Sequence, residues 1–362
     1  MKGVAAQALN GPPRQEETRL PACTAAAPPR AAPVSIMKFS PSLAAPVLAA
    51  GLVLGLGGCT ERDGEFITVG TAPAGGTFYV VGNAIASVLD ANSGDHGWRV
   101  STQGTQGSNV NIRLLVDKEI ELGMSNAAIT YFAVRGEGHW DQPMEVRSVM
   151  TMAPNVALFL TPASSEVESI ADLAGKRVVI GPAGAGFETF VSLILEGHGV
   201  SMDDITPLEA TQAAAVDMLA DGSAAAAFLG GGIPVASISQ AVATQNIRFV
   251  PFDPEVREQL IAEFPFFRPA VIPGGTYTGH DEDFHGLDVG SMHLITAASM
   301  DEELVYNLTK TLYENREQVA QQHPAARSIN PDNVTRPTGT DFHPGAIRYF
   351  QEIGIWPEAG GE

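Results

Sequence analysis

Downstream of residue 65, apolar residues recur with two alternating periods. Phe66 to Gly70 (FITVG) is a short apolar run that predicts a strand, and Gly75-Gly76-Thr77 then opens a stretch from Phe78 to Ala91. Within it Val81, Ile85, Val88 and Leu89 repeat at the spacing of one helix face. Trp98 to Thr102 predicts a second strand, and Gly107-Ser108 precedes a helix carrying Ile112, Leu115 and Val116, with Ser108 placed to cap it. Leu122 to Ser125 reads as a third strand, followed by a helix from Ala127. Strand and helix in alternation argue an α/β fold with a largely parallel sheet.

The alternation restarts after Pro154. Val156 to Leu160 and Arg177 to Gly181 (RVVIG) predict strands, with a helical turn at Ile170 to Leu173 between them. The turn Pro182-Ala183-Gly184-Ala185-Gly186 leads into a helix from Phe187 to about Gly197, and the stretches 217–219, 224–229 and 235–243 continue the pattern. Leu287 to Ala297 reads as one strand, Asp301 to His323 as one long amphipathic helix, and His343 to Ile353 as a terminal helix with Gly354 just beyond it. Two α/β lobes, each with a glycine-rich strand-to-helix turn near its start, predict a cleft between them, because open α/β sheets bind ligands at the carboxyl ends of their strands.

The first 65 residues follow different rules. Residues 1–36 are rich in Ala and Pro and read as a disordered or untranslated leader. At Met37-Lys38 the pattern becomes that of a secretory signal over 37–58, with a charged start, an apolar run from Leu43 to Leu56 too short to span a bilayer, and Leu56-Gly57-Gly58-Cys59 at its end. This ending resembles a bacterial lipobox. The resemblance implies a mature chain that begins at a lipidated Cys59, a tether over 59–65, and a membrane-anchored lipoprotein in the periplasm.

Charge and cysteine usage narrow the function. Of the 362 residues, 21 are Lys or Arg and 41 Asp or Glu; residues 1–59 hold five of the basic and two of the acidic ones, so the remainder carries a net charge of −23. Such a body repels nucleic acid and anionic lipid, whose phosphates are bound mainly by Lys and Arg. Both cysteines, Cys23 and Cys59, precede it, which leaves no disulfide and no thiolate metal site in the body. With charged residues at 17% but glycine and proline spread out, a disordered or collagen-like chain is excluded.

Three glycine turns carry candidate chemistry. Gly75-Gly76-Thr77-Phe78-Tyr79 and Gly107-Ser108-Asn109-Val110-Asn111 each follow a strand and open a helix, where free backbone amides favour an anion. Either alone is also an ordinary turn or cap, but both lie at the carboxyl ends of neighbouring strands. Gly181 to Phe187 lacks the G-x-G opening of a dinucleotide fingerprint and the Lys-Ser/Thr of a P-loop. The cluster His280-Asp281-Glu282-Asp283-Phe284-His285 reads as a solvated acidic loop rather than a metal site, and neither a G-x-S-x-G elbow nor an H-E-x-x-H motif occurs.

In order along the chain these motifs resemble the TAXI type of extracytoplasmic solute receptors of tripartite ATP-independent periplasmic (TRAP) transporters. The resemblance rests on Gly75 to Tyr79, on Gly107, Ser108 and Asn111, on the stretch from Asp172 to Gly181, on Ile272-Pro273-Gly274-Gly275-Thr276-Tyr277, and on His343-Pro344-Gly345-Ala346-Ile347-Arg348-Tyr349. It spans residues 66–354. It implies a two-lobed, class II-like binding-protein fold, with lobe I over 65–157 and 273–354 and lobe II over 158–272, no enzymatic activity and no cofactor. The implied partners are a small carboxylate ligand and the TRAP membrane subunits, with no nucleic acid and a monomeric receptor. Carried onto this chain, the ligand wall is Gly75, Gly76, Thr77, Phe78, Tyr79, Ser108, Asn111 and Asn126 in the first lobe and Ala185, Gly186 and Phe187 in the second. Two segments depart from the family pattern: Asn126-Ala127-Ala128 replaces Gln-Ser-Asp, and Ala185-Gly186-Phe187 replaces Ser-Gly-Thr. Both changes imply a drier pocket. The rival readings are an envelope-anchored hydrolase or metal enzyme using His280, Asp283 and His285, and a sensing receptor for a signalling partner.

Overall fold

The computed structural model describes residues 64–357. The proposed leader, the signal, Cys59 and nearly all of the tether lie outside them. In chain order the elements are β1 (Phe66–Gly70), α1 (Thr77–Ala91), β2 (Arg99–Gln103), α2 (Ser108–Val116), β3 (Leu122–Asn126), α3 (Ala127–Ala133) and β4 (Val146–Thr151). Then come β5 (Val156–Pro162), β6 (Arg177–Gly181), α4 (Glu188–Gly197), β7 (Thr206–Glu209), α5 (Gln212–Ala220), β8 (Ala226–Gly231), α6 (Ala236–Thr244), β9 (Ile247–Val250) and α7 (Pro254–Glu263). The chain closes with β10 (Phe267–Ile272), β11 (Phe284–Val289), β12 (Met292–Ala297), α8 (Glu302–Glu314), α9 (Arg316–Gln322) and α10 (Pro344–Glu352).

The strands form two sheets, one per lobe. The first has five strands in the order β2-β1-β3-β12-β4, with β1 parallel to both neighbours and β12 inserted antiparallel. The second has seven, β10-β11-β5-β8-β6-β7 with β9 beside β5. Burial follows position: β3 and β8 are buried at every residue, whereas β2, at an edge, is almost wholly exposed. Helix α1 lays Val81, Ile85, Val88 and Leu89 on the first sheet, as their spacing predicts. In the second lobe the rings of Phe159, Phe190 and Phe228 meet edge-on or tilted, with centroids 5.2 and 5.5 Å apart. Burying such a ring contributes roughly 1.5–3 kcal/mol.

Three expectations change. The sheets are not largely parallel: six of the ten strand pairings among the described residues are antiparallel, because β5 and β12, the strands that follow the two crossings, run against their neighbours and β10 and β11 pair as antiparallel strands. The apolar run 287–297 is two strands, because Gly290 at φ +102° turns the chain from one sheet to the other. A Cβ there would stand 2.5 Å from the Ala128 amide nitrogen, so the turn requires glycine. The return to the first lobe therefore falls at Gly290-Ser291 rather than near 273: β10 and β11 pair with each other and β11 pairs with β5. The outward crossing is Met152 to Asn155, close to where the sequence placed it. The long helix 301–323 is also two helices, α8 and α9, meeting at Asn315. Among the described residues no helix is long and apolar enough to cross a membrane.

Candidate functional site

The carboxyl ends of β1, β2, β6 and β8 meet around a cavity of about 40 Å³. From the first lobe Ala72, Pro73, Ala74, Gly76, Thr77, Phe78, Gln106, Gly107 and Ser108 line it, and from the second Pro182, Ala185, Phe187, Gln212 and Gly230. Asn155, at the end of the outward crossing, completes it. No charged side chain is among these lining residues.

The donors come from helix starts. Both α1 and α2 begin after a glycine, Gly76 or Gly107, and no side chain caps either. The first amides to enter each backbone ladder are those of Val80 and Asn111, so the amides of Thr77, Phe78 and Tyr79, and of Ser108, Asn109 and Val110, have no acceptor within their helices. Ser108 adds a hydroxyl. Its Oγ accepts the Asn126 amide at 3.0 Å, which leaves its own hydrogen free to donate. Asn155 is 4% exposed, and among the described residues its side-chain amide makes no hydrogen bond. Gln212, by contrast, is committed to the protein, donating to the Gly230 carbonyl at 2.8 Å and accepting from Ser237 at 3.0 Å.

The lobes touch directly around the cavity. Thr77 Oγ1 donates to the Gly232 carbonyl at 2.8 Å, tying α1 to the strand end beyond β8. On the other side Asn109 packs against Gly186, where an added Cβ would stand 2.7 Å from Asn109 Oδ1 and where φ is +87°. Only glycine allows that approach. Gly107 likewise faces Ala185.

The sequence-derived wall therefore divides. Gly76, Thr77, Phe78, Ser108, Ala185 and Phe187 come together at the cavity, although the Thr77 hydroxyl is spent on the opposite lobe. Gly75 and Tyr79 stand off it, with Tyr79 exposed to solvent, and Gly186 lies beneath Asn109. Asn111 and Asn126 are not part of the wall. Asn111 donates to the carbonyls of Thr71 and Met124 and accepts from Thr105. Asn126 caps α3 through Ala128 and Ile129 and donates to the carbonyls of Val289 and Gly290. Every polar atom of both side chains is used by the fold. Asn155 and Gln212 were missed in the sequence, where nothing distinguishes them from other loop and helix-start amides.

At the acidic loop, the His280 ring stacks on Phe249 at 3.8 Å and Asp283 accepts the Gly274 amide at 2.8 Å. Among the described residues no group of three or more His, Cys, Asp or Glu is placed to hold a metal.

The fold is shared with solved binding proteins. A binding-protein component of an ABC phosphonate transporter from Pseudomonas aeruginosa is similar over 72% of this chain and 79% of its own, with TM-score 0.50 and 9% identity. A protein from Bordetella bronchiseptica RB50 is similar over 81% and 90%, with TM-score 0.50 and 12% identity. The periplasmic aliphatic sulphonate-binding protein of Escherichia coli matches over 81% and 84% at 16% identity, with TM-score 0.46. Two α/β lobes joined by two crossings around a cavity are the fold that this chain shares with the phosphonate-transporter component. Over residues 69–354 the sequence matches one family along nearly the whole described body, and the chain belongs to the NMT1-like family.

Proposed function

We propose that the chain is an extracytoplasmic solute receptor of the TAXI type, which holds a small carboxylate between its lobes and presents it to the membrane subunits of a TRAP transporter. The observation that carries this reading is the pair of uncapped helix starts, α1 and α2, aimed with the unpartnered Asn155 at one cavity that has no charged lining residue. Helix-start amides favour a nearby negative charge by about 0.3–2 kcal/mol, and in a dry cavity they substitute for an arginine or lysine. The motif series from Gly75 to Tyr349 supports the TAXI assignment, and the signal ending at Cys59 supports a lipid-anchored receptor outside the inner membrane.

A cavity of about 40 Å³ has room for roughly three ordered waters, so with the lobes in this arrangement the solute is compact. Binding drives closure to the extent that the solute touches both lobes at once, because only contacts absent from the open form shift the equilibrium. The test is a thermal-shift panel on the mature protein with acetate, pyruvate, succinate and glutamate, and with methanesulfonate and methylphosphonate beside them. At a hundredfold excess over Kd a specific ligand contributes about 2.7 kcal/mol, a rise of roughly 5 °C for a body of this size. A selective rise with a carboxylate is the expected outcome. A rise confined to the sulfonate or phosphonate reassigns the head group, and no rise with any anion overturns the reading.

A further inference from the structure

Asp288 is the penultimate residue of β11, two positions before the return crossing, and is 2% exposed. Its Oδ1 accepts the backbone amide of Asn155 at 2.9 Å, and its Oδ2 accepts the Ser291 hydroxyl at 2.7 Å. One carboxylate thus bonds both chain crossings between the lobes. A third segment closes the network: Arg336 donates to Ser291 Oγ and, through Nε, to Asn333 Oδ1, and Asn333 donates to the carbonyls of Thr151 and Met152. The charged groups that face Asp288 are Arg336 and Arg268, the latter its register partner on β10. On the β5 side its partner is the Asn155 amide, and from the return crossing it is the Ser291 hydroxyl, both neutral donors.

We propose that Asp288 is the positioning residue for Asn155: its carboxylate pins the hinge so that the Asn155 side chain stays in the cavity, and protonation loosens that pin and weakens solute binding. The inference rests on the solute-receptor reading for its binding half only. A carboxylate accepts from both donors at once. Once protonated it presents a hydrogen toward Ser291, whose oxygen already accepts from Arg336, and the charge that held Arg336 is gone. Burial pushes the carboxyl up to about 6, against the hydrogen bonds and arginines that pull it down, so the change falls just below neutral pH. The folded chain then binds a proton between pH about 4 and about 6 that the unfolded chain has released. The stability this group contributes is present below pH 4 and is lost as pH rises through 6. Acid therefore favours the folded chain over the unfolded one at this position, while hinge opening that parts the two hydrogen bonds and leaves the carboxyl buried raises its pKa further and is favoured by acid.

The experiment is native-state hydrogen exchange of the Asn155 amide in the mature protein without solute, at pH 7.5 and pH 5, corrected for the intrinsic exchange rate and referred to the Val69 amide in the core. Protection of Asn155 should fall at least tenfold at pH 5 in the wild type, and in Asp288→Asn it should stand at the acid value at both pH values. Ser291→Ala, which removes one donor and keeps the carboxylate, should move the midpoint to higher pH. Protection that is equal at both pH values in the wild type, or a pH dependence that survives in Asp288→Asn, overturns the proposal. For whichever panel anion shifts the melting temperature, affinity should drop about tenfold from pH 7.5 to pH 5 in the wild type and not in Asp288→Asn; an equal drop in both also overturns it. The exchange measurement stands even where no panel anion binds, so the two readings fail separately.

Discussion

Helix starts in this molecule come in two kinds. Away from the cavity, α3, α7, α8 and α10 begin at Asn126, Asp253, Asp301 and His343, each of which accepts a backbone amide of the first turn. At the cavity, α1 and α2 begin at Gly76 and Gly107, which carry nothing to accept with. A cap contributes about 1 kcal/mol, so the fold forgoes stabilisation at the two places where a solute is expected to supply the missing acceptor. Lack of a cap is not diagnostic by itself, since α6 and α9 lack one outside the cavity. Nor does a cap exclude a helix from the cavity, because α5 is capped by Thr211 and still contributes Gln212. α4 is uncapped at the cavity too, but it begins at the ring of Phe187 and its Thr189 amide already donates to Gly186. What sets α1 and α2 apart is that each opens on the cavity behind a glycine with its first three amides free.

Three substitutions test this contrast. Asn126→Ala removes a cap and two donors from a fully buried position, and should cost about 2–4 kcal/mol in chemical denaturation, with solute affinity within threefold of wild type wherever the variant is folded. A stable variant that has lost binding would return Asn126 to the ligand wall. Gly76→Asp does the reverse. Its backbone is extended and has room for a Cβ, so the new carboxylate can cap α1. Stability should rise by a few tenths to about 1 kcal/mol, while binding of an anion falls a hundredfold or more in calorimetry, because the amides are taken and like charge faces the solute. Retained binding would show that the α1 amides do not meet the ligand. Ser108→Ala should weaken binding tenfold to a hundredfold, about 1.4–2.8 kcal/mol. Its melting temperature should fall by a few degrees, since the buried Asn126 amide loses its acceptor.

The order of strands and helices was legible because each element is long enough to show its period against glycine-rich turns. The crossings were less so. A run such as Leu287 to Ala297 is apolar throughout, since both β11 and β12 are buried, and only the conformation of Gly290 divides it. In the site, the glycine turns could be read because glycine before a helix has few other uses. The asparagines could not. Asn111 and Asn126 stand at helix starts as a ligand-binding residue would, but they spend their amides on the carbonyls of Thr71 just past β1, Met124 in β3, Val289 at the end of β11 and Gly290 in the return crossing, contacts made only in the folded chain. Asn155 has the opposite character. Next to Pro154 it resembles a turn residue, and its role depends on Asp288, 133 positions away.

The direct bond from Thr77 to Gly232 and the glycine contact beneath Asn109 also bear on time. While they hold, the lobes cannot part at that seam, so the escape of a solute held between them waits on their rupture as well as on its own bonds. Residence time is then set by how often the lobes part, and the apparent dissociation constant divides into an intrinsic part and the fraction of molecules ready to close. A substitution at Gly186, which is not among the cavity-lining residues, would change how long a solute stays while leaving in place the residues that choose it.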